Sequence, residues 1–135
     1  MNSIIDLLKK KNFFICEHGA TPAEIEEAQK ALNLAFADDY RTYLRECGTA
    51  SYEGHELTGI GRDINLDVVK ATVNNLKKNP KVNLPLYVVE ETHIDGIVIW
   101  QAPDGQVYQT NMESEPFKIA ENLSEYIQLS DDLEQ

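Results

Sequence analysis

Basic side chains are scarce in this chain of 135 residues: 12 lysines and arginines stand against 23 aspartates and glutamates, a formal net charge of −11. A field of that sign repels phosphate backbones and anionic headgroups, so neither nucleic acid nor a membrane surface is an expected partner. Solubility alone would also account for an acidic surface. No apolar run approaches the roughly 20 residues that cross a bilayer. The stretch Met1 to Phe14 carries its lysines after its apolar residues and offers no small-residue cleavage site. It is not read as a signal peptide, and the cytoplasm is the expected compartment. Cysteine is limited to Cys16 and Cys47, without a C-x-x-C spacing or a metal pattern around them. Cys47 falls on an apolar helical stripe, where a free cysteine acts as a small hydrophobe, and both are read as structural. His18, His55 and His93 are far apart and belong to no metal-ligand spacing. Gly54, Gly59 and Gly61 match neither a P-loop nor a dinucleotide fingerprint, and Ser51 and Ser114 lack a nucleophile-elbow context. No metal, no cofactor and no enzymatic activity are expected.

What is present describes a globular chain, with 42% hydrophobic and 26% charged residues. It is read as one domain over residues 1–135, with a core from about 21 to 129 and an acidic tail from 130 to 135. A chain of this size buries roughly two-thirds of its unfolded surface. Thr21 to Gly48 is the best-specified stretch. Thr21, Pro22 and Glu24 spell a capping box with proline at the first helical position. Ile25, Ala28 and Leu32 share one face, and Asn33 suits a left-handed stop. Asp38 and Asp39 favour the start of a second helix, in which Tyr40, Tyr43, Leu44 and Cys47 recur at helical spacing before Gly48. An earlier helix begins at a Ser3 cap and carries Ile4, Ile5, Leu7 and Leu8, and Phe13-Phe14-Ile15 follows as an extended or turning connection.

After Gly48 the pattern shortens. His55 to Ile60 reads as a short strand whose glycines mark bends or close backbone approaches. Asn65 or Asp67 opens a helix with Leu66, Val69, Val73 and Leu76 on one face, closed by Asn79-Pro80. Leu86 to Val89 and Ile97 to Trp100 are strands joined by a polar link ending in Asp95-Gly96. Pro103-Asp104-Gly105 turns into the alternating strand Gln106 to Thr110, and Phe117 to Ile119 can add another. Asn122 caps a last helix with Leu123, Tyr126, Ile127 and Leu129 facing inward. The fold class is therefore α+β: one antiparallel meander, with N-terminal helices, an inserted helix and a C-terminal helix packed on it.

The connector Asn33-Leu34-Ala35-Phe36-Ala37-Asp38-Asp39-Tyr40, followed by Tyr43-Leu44 and Cys47-Gly48, resembles the N-terminal signature of the SUKH superfamily of Smi/Knr-like proteins. Asn33 stands where the family usually has glycine, and Ala37 where it has proline. Leu57-Thr58-Gly59-Ile60 is similar to its glycine-rich strand, and Leu123-Ser124-Glu125-Tyr126-Ile127 to its terminal helix. The resemblance covers residues 21–129 and rests on packing positions rather than chemistry. It implies a protein-binding module of the bacterial immunity type, whose partner is a cognate toxin, often a basic nuclease. The alternative it implies is a regulatory or ligand-responsive scaffold.

Carboxylates in loops and at strand ends are the candidates for meeting a basic partner. Those on helix faces, such as Glu24, Glu26 and Glu27, are explained by the helix dipole and solvation. The candidates are Glu53 and Glu56 beside the glycine-rich segment, and Glu90, Glu91 and Asp95 around the hairpin link. Tyr52 is the nearest aromatic anchor. Glu90 and Glu91 are adjacent on a strand, so they should face opposite sides of the sheet and not converge as an acid–base pair.

Overall fold

The computed structural model describes residues 4–133. Helix α1 (Ile4–Lys9) leads to the two-residue strand β1 (Ile15–Cys16). Helices α2 (Pro22–Leu32) and α3 (Asp38–Cys47) precede strands β2 (Ala50–Tyr52) and β3 (His55–Leu57). A 3-10 turn (Ile64–Leu66) and α4 (Val68–Lys78) come next. The chain then runs through β4 (Tyr87–Glu91), β5 (Ile97–Gln101), β6 (Val107–Asn111) and β7 (Phe117–Ala120) to α5 (Leu123–Leu133). All seven strands form one antiparallel sheet in sequence order, which is the expected α+β meander extended at its front by β1 and β2.

Local signals produce the expected helix ends. The Thr21 hydroxyl accepts from the Glu24 N–H at 3.1 Å, and the Glu24 carboxylate accepts from the Thr21 N–H at 2.9 Å, which completes the capping box. Asn33 closes α2 at φ 55°, ψ 43°, and Gly48 closes α3 at φ 71°. The Asn122 carboxamide caps α5 by accepting from the Glu125 N–H. The Ser3 cap lies outside the described residues. Helix α5 continues to Leu133, into the stretch read as an acidic tail.

One face of the sheet holds the main core. Tyr87, Ile99 and Val107 meet α1, α3 and α5 there, and Phe36, Tyr40 and Tyr87 pack edge-on or tilted with ring centroids about 5 Å apart. Each buried hydroxyl has a partner. Tyr40 shares a hydrogen bond with Thr58, Tyr43 donates to the Thr58 carbonyl, and Tyr87 donates to Gln101. Burial raises the pKa of all three tyrosines. Ile25, Tyr43, Leu44, Val88, Trp100 and Tyr126 are buried, while Leu32 and Val98 are half-buried.

Helix α4 departs from its hydrophobic pattern. Its buried residues are Val68, Ala71, Thr72 and Asn75, whereas Val73 and Leu76 are exposed. The helix lies along the edge of β4 left open where β3 stops. The Thr72 hydroxyl accepts from the Val88 N–H at 2.9 Å, and the Asn75 carboxamide donates to Glu91 at 2.8 Å. The Val88 N–H needs an acceptor and the Glu91 carboxylate a donor, so the helix turns Thr72 and Asn75 inward beside Ala71, which packs with Leu86, Val88 and Trp100. Its start is pinned by the Val68 N–H on the Gly59 carbonyl. A side chain at Gly59 would place its Cβ 1.7 Å from the Gly48 carbonyl oxygen, the close approach expected of this glycine-rich stretch.

The cysteines are not separate hydrophobes. Cys16 and Cys47 form a disulfide that ties the edge strand β1 to the end of α3. Neither spacing nor composition marks a bridge between two positions that only the tertiary fold brings together. Disulfides persist in oxidising compartments, so this one does not favour the cytoplasmic residence expected above. No helix among the described residues is long and apolar enough to cross a membrane.

Candidate functional site

The antiparallel registers gather four connections at one end of the sheet. Ile15 pairs with Ser51, which sets the Asn12–Phe13 turn beside the β2–β3 turn. Leu57 pairs with Glu90, which brings the β2–β3 turn level with the β4–β5 tip. Ile97 pairs with Asn111, which adds the start of the β6–β7 loop. Loops held at one end of a rigid scaffold are a usual location for recognition.

Each connection is held by its own hydrogen bonds. The turn between Tyr52 and His55 uses Glu53 at φ 47° and Gly54 at φ 85°, both left-handed as a two-residue hairpin requires. The Glu53 carboxylate accepts from the Asn12 N–H at 2.9 Å, and the Glu53 N–H donates to the Asn12 carbonyl at 3.1 Å. In the β4–β5 tip the Thr92 hydroxyl donates to the Ile97 carbonyl at 2.7 Å and accepts from the Ile94 N–H at 3.2 Å. The Met112 N–H reaches the Gly96 carbonyl at 3.0 Å, and Asn79 donates to the carbonyls of Met112 and Ser114. Six non-glycine residues have positive φ among those described. Five of them, Phe13, Glu53, His93, Asp95 and Met112, belong to this end; the sixth is the helix cap Asn33.

Glu53, Glu56, Glu91 and Asp95 all lie at or beside this end. Glu53 is half-buried in its turn, and Asp95 is exposed at φ 52° in the tip. Glu56 is exposed, and the register that pairs Leu57 with Glu90 sets Glu56 alongside Glu91. The other two candidates are interior. Tyr52 is 1% exposed and stacks on His55 with ring centroids 5.0 Å apart. Glu90 is 2% exposed, accepting from the Tyr126 hydroxyl and bonded to His55 Nδ1 at 2.8 Å. Neither Tyr52 nor Glu90 offers surface to a partner, because the core face claims both. Glu91 points the other way, to Asn75 of α4, so the adjacent pair diverges as the strand period requires.

Behind the tip, α4 and strands β5 and β6 enclose a groove of about 360 Å³. Val98, Trp100 and Thr110 contribute to its lining, together with Lys78, Glu91, His93, Met112 and Glu113. The Trp100 indole N–H donates to the Thr110 hydroxyl at 3.0 Å, and Glu91 is held by Asn75. Among the described residues no group of three or more His, Cys, Asp or Glu is placed to hold a metal ion. Sequence reasoning missed Phe13, Ile94 and Met112, which are 86%, 63% and 72% exposed at this end. For Ile94 and Met112 the sign available in the sequence was an apolar residue inside a short polar link; Phe13, within the run Phe13-Phe14-Ile15, carries no such sign.

Comparison with known proteins places this architecture. The family model described as SMI1-KNR4 cell-wall, of the SUKH group, matches residues 1–130. The match includes α1 and β1, which the resemblance over 21–129 left out. No curated protein matches the chain. Family membership supports a protein-binding or immunity-type role at the level of the family. On a match that spans nearly the whole sequence, the chain belongs to the SUKH superfamily, within its SMI1-KNR4 family.

Proposed function

We propose that this chain is an immunity-type binding protein that neutralises a cognate toxin with a basic active cleft, of the nuclease kind, and that it performs no chemistry of its own. The observation that supports this reading is the charge of the loop end. The three hairpin connections Glu53–Gly54, Thr92–Gly96 and Met112–Pro116 contain Glu53, Asp95, Glu113 and Glu115 and no lysine or arginine, while the α1–β1 connection brings Lys10 and Lys11 ahead of Asn12, with Lys11 buried on the Ile127 carbonyl. Glu56 and Glu91 continue the same sign along the adjoining strands. A nuclease must hold phosphates, so its cleft is positive, and an inhibitor with a fixed negative end is steered towards it. Such steering mainly speeds association and rejects wrong partners.

The test is co-expression with the toxin encoded beside this gene, followed by binding kinetics on the purified pair. Wild type should protect cells, and its association rate should fall as salt rises. Reversing Glu56 and Asp95 together, as Glu56→Lys with Asp95→Lys, should slow association by roughly 10-fold at low salt while the fold is kept. Both residues are exposed and neither holds the core. Protection and association that are unchanged in the double variant would mean that this end is not the binding face. The groove favours a second reading, a ligand-responsive scaffold, since it combines an apolar floor with several polar groups. A small molecule that raises the melting temperature of wild type but not of a groove-filled Val98→Trp variant would favour it.

A further inference from the structure

We infer that Phe13, Ile94 and Met112 are the apolar anchors of a protein-docking surface across the loop end, and that its partner is a basic protein surface with apolar recesses. This deepens the binding role proposed above and rests on it. A solvent-facing phenylalanine is ordinary when it stands alone on a strand or helix. Phe13 is different: it is 86% exposed and adopts φ 59°, a conformation rare for a bulky side chain. Two hydrogen bonds between Asn12 and Glu53 hold the turn that presents it. The next residue, Phe14, packs inward against the core, so the chain turns one ring in and one ring out. Beyond the β2–β3 turn, Ile94 and Met112 repeat the arrangement at the β4–β5 and β6–β7 connections, each flanked by or set at positive φ. Met112 lies against Gly96, where an added Cβ would meet its sulfur at 2.7 Å, so the tip and the β6–β7 loop form one surface.

Spacing and charge identify the occupant. Phe13 precedes β1 and Met112 follows β6, five strand spacings apart, or about 24 Å at about 4.8 Å per strand. That width suits a partner face of the usual size, about 800 Å² per side. It is too wide for one small ligand. The three hairpin connections carry Glu53, Asp95, Glu113 and Glu115 and no lysine or arginine, so a partner that covers the anchors beside them must bring positive charge. Exposed aromatic and aliphatic anchors with a charged rim are the arrangement in which a few side chains supply most of the affinity. Anchors fixed before binding lose less entropy when the complex forms.

The experiment measures binding to the polypeptide encoded by the reading frame adjacent to this gene, purified with its active site inactivated. Wild type is compared with Phe13→Ala, with Ile94→Ser combined with Met112→Ala, and with Ile64→Ser. Ile64 is 64% exposed in the 3-10 turn, away from the loop end, and serves as the control. Circular dichroism and melting curves establish that each variant is folded. Phe13→Ala should raise Kd by at least about 30-fold and the Ile94/Met112 pair by a similar factor, while Ile64→Ser changes it less than twofold. If wild type binds and both anchor variants stay within about threefold of it, the anchors are wrong and the binding role stands. If wild type itself does not bind, the partner reading fails and this inference falls with it.

Discussion

Replacing Cys16 by serine isolates the contribution of the disulfide. The bridge spans a sequence separation of 31 and encloses α2 and α3. Cross-linking a loop of about 32 residues removes about 12 cal/mol/K of entropy from the unfolded chain, or about 4 kcal/mol at 25 °C, on the loop-closure treatment. Cys16 is the right end to change. Its residue is exposed, and its ladder partner Ala50 pairs through the backbone. The Cys47 thiol would remain buried in an apolar site, where it acts as a small hydrophobe. The measured loss should therefore be mostly the entropy of the unfolded chain rather than a hole in the core. With a urea m-value of about 2 kcal/mol/M, the unfolding midpoint should fall by about 2 M. Wild type in excess dithiothreitol should shift by the same amount, and the native protein should show no free thiol under denaturing alkylation. A midpoint shift below about 0.5 M, or two reactive thiols in unreduced protein, would refute the reasoning.

Glu90→Ala removes the acceptor shared by the Tyr126 hydroxyl and the His55 ring, and should cost about 3 kcal/mol, read as a melting temperature lower by roughly 10 °C. Asp39 accepts from the Gln101 side chain and from the Leu123 N–H that begins α5, so Asp39→Ala should cost about 2 kcal/mol in urea unfolding, with Asp39→Asn milder. Burial raises the pKa of Tyr40, Tyr43 and Tyr87 above the unfolded value of 10.0, so the folded state holds their protons more tightly. Their contribution is complete below pH 10 and declines above it by about 1.4 kcal/mol per pH unit for each tyrosine, and tyrosinate absorbance should rise together with unfolding. Phe13→Gly should leave the protein as stable as wild type or more stable by about 1 kcal/mol, because it relieves positive φ at an exposed position; a loss above 1 kcal/mol would mean the ring is structural.

What was legible in the sequence was local. A cap is written within four residues, so Thr21 with Glu24, Asn33 and Gly48 could be read without any tertiary knowledge. The hairpin links and the order of the strands followed from turn residues between β-branched runs. What was not legible depended on partners distant in the chain. Glu90 looks like a surface carboxylate until His55 and Tyr126, 35 and 36 residues away, supply its hydrogen bonds. The inward face of α4 departs from the hydrophobic periodicity because Thr72 accepts from the Val88 N–H, Asn75 holds the Glu91 carboxylate, and small Ala71 is what packs on Leu86, Val88 and Trp100. The candidate site was legible in part. Glu53, Glu56, Glu91 and Asp95 come from separate segments, and only the strand registers bring them to one end. Tyr52 failed as an anchor because an aromatic next to acidic residues carries no mark of which sheet face it occupies.

The distribution of strain separates the parts of the molecule that hold the fold from the end proposed to meet a partner. A non-glycine residue in the left-handed region costs on the order of 1 kcal/mol, so five at one end represent several kcal/mol of a net stability of only about 5–15 kcal/mol. Turn geometry alone does not demand that cost, since glycine adopts the same conformation freely and already occupies positions 54 and 96 in these turns. At Phe13 and Met112 the chain keeps a large side chain in a conformation that glycine would hold with less strain, and it leaves that side chain in water. Neither residue gains core burial in return. The compensation comes from the turn hydrogen bonds, Asn12 with Glu53 and Met112 with Gly96, which fix the direction in which each side chain projects. Stability in this protein is therefore drawn from the tyrosine-rich face of the sheet and the disulfide. Surface chemistry is concentrated where the backbone is least relaxed, and substitutions at the loop end should alter binding at little cost to folding.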